Sequence, residues 1–345
     1  MSTLSTKTPL DAEVRSQATC AEMARHKYIT TIQTDQAEKE GLALAMAILR
    51  LPRLPAISLH VTRRAMSTRP LSTAACLIIG DEVLNGKIRD TNSYAFAKYC
   101  FEIGLDLRRV EVISDDEDEI VDATQRMAKD YDFVITSGGL GPTHDDITYQ
   151  SIAKAFNLPL VLHEETVERM KRLGRRKIDP NDLEAVAAQM RMATLPKGNT
   201  STETDIIYVD NYWVPVVCVA SKVYILPGIP QLFEALLFGI RPYIVPRIPA
   251  SQRKHRLLVA TRKAESEMAS YLTKLQERVN DKEIKIGSYP HMSAGINTVS
   301  FIGKEEHLDY MKELVKETEG ALEGRQVTDE EEAKLSLRCT LKASS

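Results

Sequence analysis

The sequence predicts an α/β protein: a doubly wound, mostly parallel sheet with a small appended α+β subdomain. Three observations carry this expectation. Short continuous apolar runs, Ala74–Ile79, Phe133–Thr136 and Val223–Leu226, read as strands buried on both faces. Loops rich in glycine or acidic residues follow them and lead into helical patterns, which is the alternation a parallel sheet requires. Past Pro249 strand and helix alternate again on a smaller scale. With 345 residues, 43% of them apolar, the chain can bury one full α/β domain and a second, small one.

Charge and cysteine usage exclude several classes. The formal net charge is −3, and no basic stripe is interleaved with aromatic residues, so nothing asks for nucleic acid. The cluster Arg172, Arg175, Arg176, Lys177 reads as a solvated helix end. Five cysteines are scattered singly, without C-x-x-C spacing, which argues for a reducing compartment and against a disulfide framework or structural zinc. The longest apolar run, Leu42 to Leu49, is too short to span a bilayer.

Residues 1–73 have a composition of their own. From Met46 to Thr73 the chain carries Arg50, Arg53, Arg63, Arg64 and Arg69 and no acidic residue, whereas residues 1–45 are mixed in charge. An Arg-rich, hydroxyl-rich, acid-free stretch marks a mitochondrial transit peptide, although such a peptide begins at its initiator methionine. The expectation is therefore mitochondrial if translation starts at Met46 and cytoplasmic otherwise. The alternative is a disordered extension that targets nothing. The predicted divisions are this segment, an α/β domain at 74–250, a subdomain at 251–327 and a loose charged tail at 328–345.

Taken in order, the strand Ala74–Ile79 ends at Gly80 and is followed by Asp81 and Glu82, where an open parallel sheet binds its ligands. Asp90 and Asn92 either line the same crevice or start the helix running to about Ile103, with Tyr94, Ala97 and Phe101 on its apolar face. Strand Leu107–Ile113 leads through Asp115 and an acidic first turn into a helix with apolar Ile120, Ala123, Met127 and Ala128. Strand Phe133–Thr136 then breaks into Ser137-Gly-Gly-Leu-Gly-Pro-Thr-His-Asp-Asp-Ile-Thr148 before a helix over 149–156.

That loop is the predicted site. Gly138, Gly139 and Gly141 bare the backbone beside a helix start, the geometry that holds phosphate. Asp145 and Asp146 there can cap the helix, or hold a Mg²⁺-type cation that reconciles two carboxylates with a phosphate. Downstream come amphipathic helices at about 164–176 and 182–192 and strands Ile206–Val209, Trp213–Val219 and Val223–Leu226, the first two paired across Asp210-Asn211. Pro227-Gly228-Ile229-Pro230 punctuates the next strand-to-helix junction. The subdomain is predicted as strand 256–261, helix 265–278, strands 285–288 and 298–302, and helix 308–317.

The loop at 138–148 resembles the signature of the molybdopterin-binding (MoaB/MogA/CinA) superfamily in its CinA-like form. Ile79 to Gly86, Asp90-Thr91-Asn92, Asp115-Asp116 and Leu226 to Pro230 agree with it in order. The run from Val214 to Phe233, with Gly287-Ser288-Tyr289-Pro290, is similar to the N-terminal domain of eukaryotic FAD synthases. The match covers about residues 74–325. Where the pattern expects a glycine- and asparagine-containing stretch, Pro196-Lys-Gly-Asn-Thr200 stands, a weaker fit.

The resemblance implies the molybdopterin-binding fold and a dinucleotide or pterin pyrophosphate ligand. It further implies a divalent metal (Mg, Mn or Co) and a metal-dependent hydrolase of a nucleotide pyrophosphate such as FAD or ADP-ribose. In that reading Asp146 and Asp115 are catalytic, and Asp146 and Asp145 hold the metal. Gly138, Gly139, Gly141, Asp81, Glu82, Asn92 and Gly228 bind substrate. The alternatives are molybdopterin binding or adenylylation, and a non-catalytic nucleotide-binding partner of an FAD synthase. A homo-oligomer is expected. The chain has no room for the deamidase domain of full-length CinA or the adenylyl-transferase domain of FAD synthases, so neither activity is carried over.

Overall fold

The computed structural model describes residues 68–342 apart from 175–178, 180 and 293. The expected transit peptide or extension lies outside the described residues up to position 67, as does most of the basic cluster at 175–177.

Strand β1 (Thr73–Ile79) is central, and its alternate side chains enter two different cores. Ala74, Cys76 and Ile78 face one core; Ala75, Leu77 and Ile79 face the other. An unbroken apolar run is what two buried faces demand. After a single helical turn at Asp81–Leu84 the chain forms α1 (Asn92–Ile103), β2 (Asp106–Ile113), α2 (Glu117–Asp130) and β3 (Phe133–Ser137). Helix α1 covers the first face with Phe96, Tyr99, Cys100 and Ile103, and α2 covers the second with Ile120, Ala123 and Met127. The predicted face of α1 is corrected here: Tyr94 is 68% exposed. Phe96, Cys100 and Ile103 repeat at i, i+4 and i+7, and that stripe meets the sheet.

Next come α3 (Thr148–Ala155), the short hairpin strand β4 (Leu160–Leu162), α4 (Glu164–Leu173), α5 (Leu183–Arg191), and β5 (Thr194–Pro196), which pairs with β4. β6 (Thr204–Ile207), β7 (Val216–Val219), β8 (Val223–Leu226) and α6 (Pro230–Gly239) complete the domain. The main sheet runs β2-β1-β3-β8-β7-β6. Its first four strands are parallel, while β7 is antiparallel to both β8 and β6. β7 begins at Val216 rather than Trp213, because Pro215 has no N–H to give to a ladder.

The appended subdomain contains β9 (Lys254–Thr261), α7 (Glu265–Val279), β10 (Lys285–His291), β11 (Ile296–Lys304), α8 (Leu308–Ala321) and β12 (Arg325–Val327). All pairings in its sheet, β10-β11-β9-β12, are antiparallel, giving the split βαββαβ arrangement. The tail, expected to be loose, is helix α9 (Asp329–Lys342). The sequence held the reason. Thr328 Oγ1 accepts from the Glu331 amide at 3.2 Å, while Glu331 Oε2 accepts from the Thr328 amide at 3.0 Å, a reciprocal capping box.

The subdomain attaches at the N-terminal end of the parallel strands. Lys254 Nζ lies 3.1 Å from Asp106 at the start of β2, and the Arg256 guanidinium stands 4.3 Å from the centre of the Phe101 ring near the end of α1. At this same pole the Leu71 amide donates to the Arg247 carbonyl at 2.9 Å, and buried Arg247 donates to the carbonyl of Arg69 and to Tyr224 Oη.

Candidate active site

The strand order reverses between β1 and β3: β1 leads through α1 to β2 on one side, and β2 returns through α2 to β3 on the other. In open α/β sheets the C-terminal side of such a switch point is where ligands lie. Here the two strands end almost in contact. Gly138 has φ +117°, and a Cβ on it would sit 1.9 Å from the Ile79 carbonyl oxygen, so only glycine fits. Gly228, in the loop after β8, closes the same point: a Cβ there would meet Gly138 Cα at 3.3 Å.

A crevice of about 480 Å³ opens above this contact. It brings together Glu82, Asn92, Gly138, Gly139, Gly141, Asp146 and Gly228 of the sequence-predicted set. Asp81, Asp115 and Asp145 do not line it. Helices α3 and α6, neither capped by a side chain, start beside it and present their positive ends. Asn92 is 6% exposed; its Nδ2 donates to Ser137 Oγ and to the Gly228 carbonyl, both at 2.8 Å. The carbonyl partner fixes which end of the amide is nitrogen, and the buried Oδ1 has no partner among the described residues. Asp90, by contrast, works as a helix start: its Oδ1 accepts from the amides of Asn92 and Ser93 at 2.9 and 3.0 Å.

Asp146 does not cap α3. Its Oδ1 accepts from the Gly141 amide at 2.6 Å, and its Oδ2 accepts from the Thr143 amide at 2.8 Å and the Thr143 hydroxyl at 2.5 Å. The carboxylate thus folds back and shapes the turn at 141–143. Arg191 of α5 clasps that turn from outside by donating to the Pro142 carbonyl. Asn199, in the weaker-fitting stretch, orders its own loop by accepting from the amides of Ser201 and Thr202, and it does not line the crevice.

Behind the crevice Asp115 Oδ2 accepts from the Asp81 amide at 2.9 Å, tying the end of β2 to the turn after β1. Partial burial holds the Asp115 carboxyl above its ordinary range despite that bond, and the negative charges of Glu82, Asp81 and Asp145 push the same way. Among the described residues no three His, Cys, Asp or Glu side chains converge into a set that could hold a metal by themselves. The donor chemistry fits a Mg²⁺-type ion of another kind, one held by one or two carboxylates and completed by ligand phosphates. Asp146 has used three of its roughly four acceptor positions, which leaves one. Asp145, with a side chain 57% exposed, is open to solvent.

Sequence reasoning missed Arg89 and Trp213. Arg89 lines the crevice and has no ion-pair partner among the described residues. Trp213, the only tryptophan of the chain, stands in the loop before β7. Its rarity was the one available signal.

A mostly parallel sheet with a glycine turn at its switch point defines an α/β protein whose bare backbone borders a crevice at the strand C-termini. The chain belongs to a family whose model, described as "Probable molybdopterin binding domain", matches residues 75–248. It falls within the MoaB/MogA/CinA superfamily and is related to FAD synthases. It is 30% identical over 307 residues to a protein of Caenorhabditis elegans named "Probable FAD synthase", covering 86% of this chain and 56% of the relative. It is 33% identical over 229 residues to a protein of Pyrococcus horikoshii, covering 64% of this chain and 85% of the relative. A crystal structure of the protein CinA, of unknown function, from Thermoplasma acidophilum aligns at 30% identity with a TM-score of 0.44, over 52% of this chain and 99% of that one. The chain spans about half the length of the named FAD synthase relatives, 56% and 44%. Among the described residues no helix is long and apolar enough to cross a membrane.

Proposed function

We propose that the protein is a metal-dependent hydrolase of a nucleotide pyrophosphate bond, with a substrate of the FAD or ADP-ribose type. The observation that carries this reading is the glycine turn: Gly138 and Gly139, both at positive φ, leave backbone bare at the switch point between two helix starts. Backbone amides of Gly139 and Leu140 hold the pyrophosphate, those of Gly138 and Gly141 being engaged by the Leu226 carbonyl and Asp146, and the α3 and α6 termini add their dipoles. Arg89 supplies a cation at the edge, and the orphaned Asn92 Oδ1 accepts from a ligand hydroxyl or a bound water. Asp146 and Asp145 would hold Mg²⁺, Mn²⁺ or Co²⁺, which when bound neutralises charge growing on the phosphoryl oxygens. Asp115, which does not itself line the crevice but ties the turn after β1 to the end of β2, would help to orient an attacking water.

The family description favours a second reading, in which the same turn binds the phosphate of a pterin. One experiment separates these from pure binding. Purified protein is incubated with FAD, ADP-ribose or NAD and each metal, and AMP is measured by chromatography. Metal-dependent AMP supports the hydrolase; binding of these nucleotides without AMP leaves a nucleotide-binding protein; failure to bind them, with tight binding of molybdopterin, moves the function to the pterin.

A further inference from the structure

A second cavity, of about 900 Å³, adjoins the crevice between α4, α5 and the loop before β7. The two share Pro142, Met192, Trp213, Val214, Ile229 and Leu232 as walls, so they form one continuous groove with two lobes. The lobes differ in chemistry. The first carries Glu82, Arg89, Asp146 and the bare glycine turn. The second has no charged side chain among its described lining; Gln189, Asn211 and Gln231 are its polar side chains apart from the Tyr212 hydroxyl.

We infer that the second lobe is a ring subsite: the planar heteroaromatic ring of one nucleotide half enters it and stacks on Trp213 while the pyrophosphate lies on the glycine turn. The inference rests on the proposed function for the phosphate end alone. Among the described residues, nothing in this lobe would partner a phosphate or carboxylate charge removed from water. A neutral ring with apolar faces and hydrogen-bonding edges suits it, since amides both donate and accept along such an edge. Trp213 is half-buried and belongs to both lobes, so a ring tethered to a pyrophosphate reaches it without leaving the turn. Stacking on one aromatic side chain commonly changes affinity by roughly tenfold or more.

The test uses the full chain without added metal, so that nothing turns over. Inorganic pyrophosphate, AMP, FMN and ADP-ribose are titrated by calorimetry, with the fluorescence of the sole tryptophan as a second readout. ADP-ribose is expected to bind at least about tenfold more tightly than pyrophosphate and to quench Trp213. Trp213→Ala should remove that gain, so that ADP-ribose binds no more tightly than pyrophosphate to the same variant, while Trp213→Phe keeps most of it. Ala188→Trp, which fills the lobe from α5, should have the same effect as Trp213→Ala in the calorimetric titration and decides the matter if the latter unfolds. Whether AMP or FMN shows the gain identifies the ring. Equal affinity for pyrophosphate and ADP-ribose, or a ring gain that survives Ala188→Trp, overturns the subsite. A ring gain in protein that releases no AMP with any metal defeats the hydrolase and leaves the subsite standing; AMP release unaltered in Ala188→Trp does the reverse.

Discussion

Gly141 and Asp146 fit each other so closely that neither can change alone: the Gly141 amide donates to Asp146 Oδ1 at 2.6 Å, and a Cβ on Gly141 would lie 2.5 Å from Oδ2 of the same carboxylate. Gly141→Ala should therefore displace the carboxylate and open the turn. We expect ADP-ribose affinity to fall by about tenfold or more and stability to fall by ~1–3 kcal/mol, because the bonds that Asp146 accepts from Gly141 and Thr143 are lost together. Calorimetric titration beside a thermal melt checks this, and unchanged affinity would mean that the turn does not hold the ligand.

Asp146→Asn is not the conservative change that a capping role would make it. Both carboxylate oxygens accept from the chain, so the amide nitrogen of Asn must face either the Gly141 or the Thr143 N–H. The cost should be ~1–3 kcal/mol in chemical denaturation. Asp145→Asn, at an exposed carboxylate, should leave stability nearly unchanged. Equal stability of the two variants would contradict the network around Asp146.

Ile78 is 4% exposed on the central strand, and truncation there leaves a void between α1, α6 and the sheet. Ile78→Ala should lose ~2–5 kcal/mol. A loss below ~1 kcal/mol in urea unfolding would show that this core can collapse around the gap.

Asp132 fastens the start of β1: its Oδ2 accepts from the Ser72 and Thr73 amides at 3.2 Å and from the Thr73 hydroxyl at 3.1 Å. Burial works to raise its carboxyl, but the bonds from Thr73 and Ser72 and the charge of Arg69 outweigh it and hold the group below its usual range. A carboxyl depressed in the folded state contributes stability above its unfolded value, roughly 3.9, and loses that contribution as pH falls through the folded value. Asp132→Asn should thus be less stable than wild type by ~1–2 kcal/mol at pH 7, and the gap should close as pH falls below the ordinary carboxylate range. Melting curves across that range measure it; a gap independent of pH would assign the loss to geometry rather than charge.

The sheet and the glycine turn were legible because their causes are local. An unbroken run such as Ala74–Ile79 has no half-exposed option, and Gly138-Gly139 between strand and helix leaves few alternatives to a bare turn. What the sequence hid depends on direction. It placed Asp146 at a helix start, but whether the carboxylate points into the helix or back onto 141–143 is set by the turn itself. Tyr94 and Phe96 offered α1 two competing apolar stripes, and only the sheet chose between them. Trp213 read as strand because its neighbours are apolar; Pro215 was the signal against it. The capping box at Thr328 and Glu331 was readable and overlooked, since an acidic tail suggests disorder more loudly than a cap suggests order.

The seam that joins Leu71 to Arg247 makes the α/β domain a cassette. Its entry and exit segments meet at one pole, the crevice opens at the other, and the small domain hangs from the seam. A domain whose ends touch can be spliced into longer polypeptides, or have its neighbour exchanged, at the cost of matching a single junction. Fusion partners placed at this pole would leave ligand access untouched, so the same pocket can serve in chains of very different length.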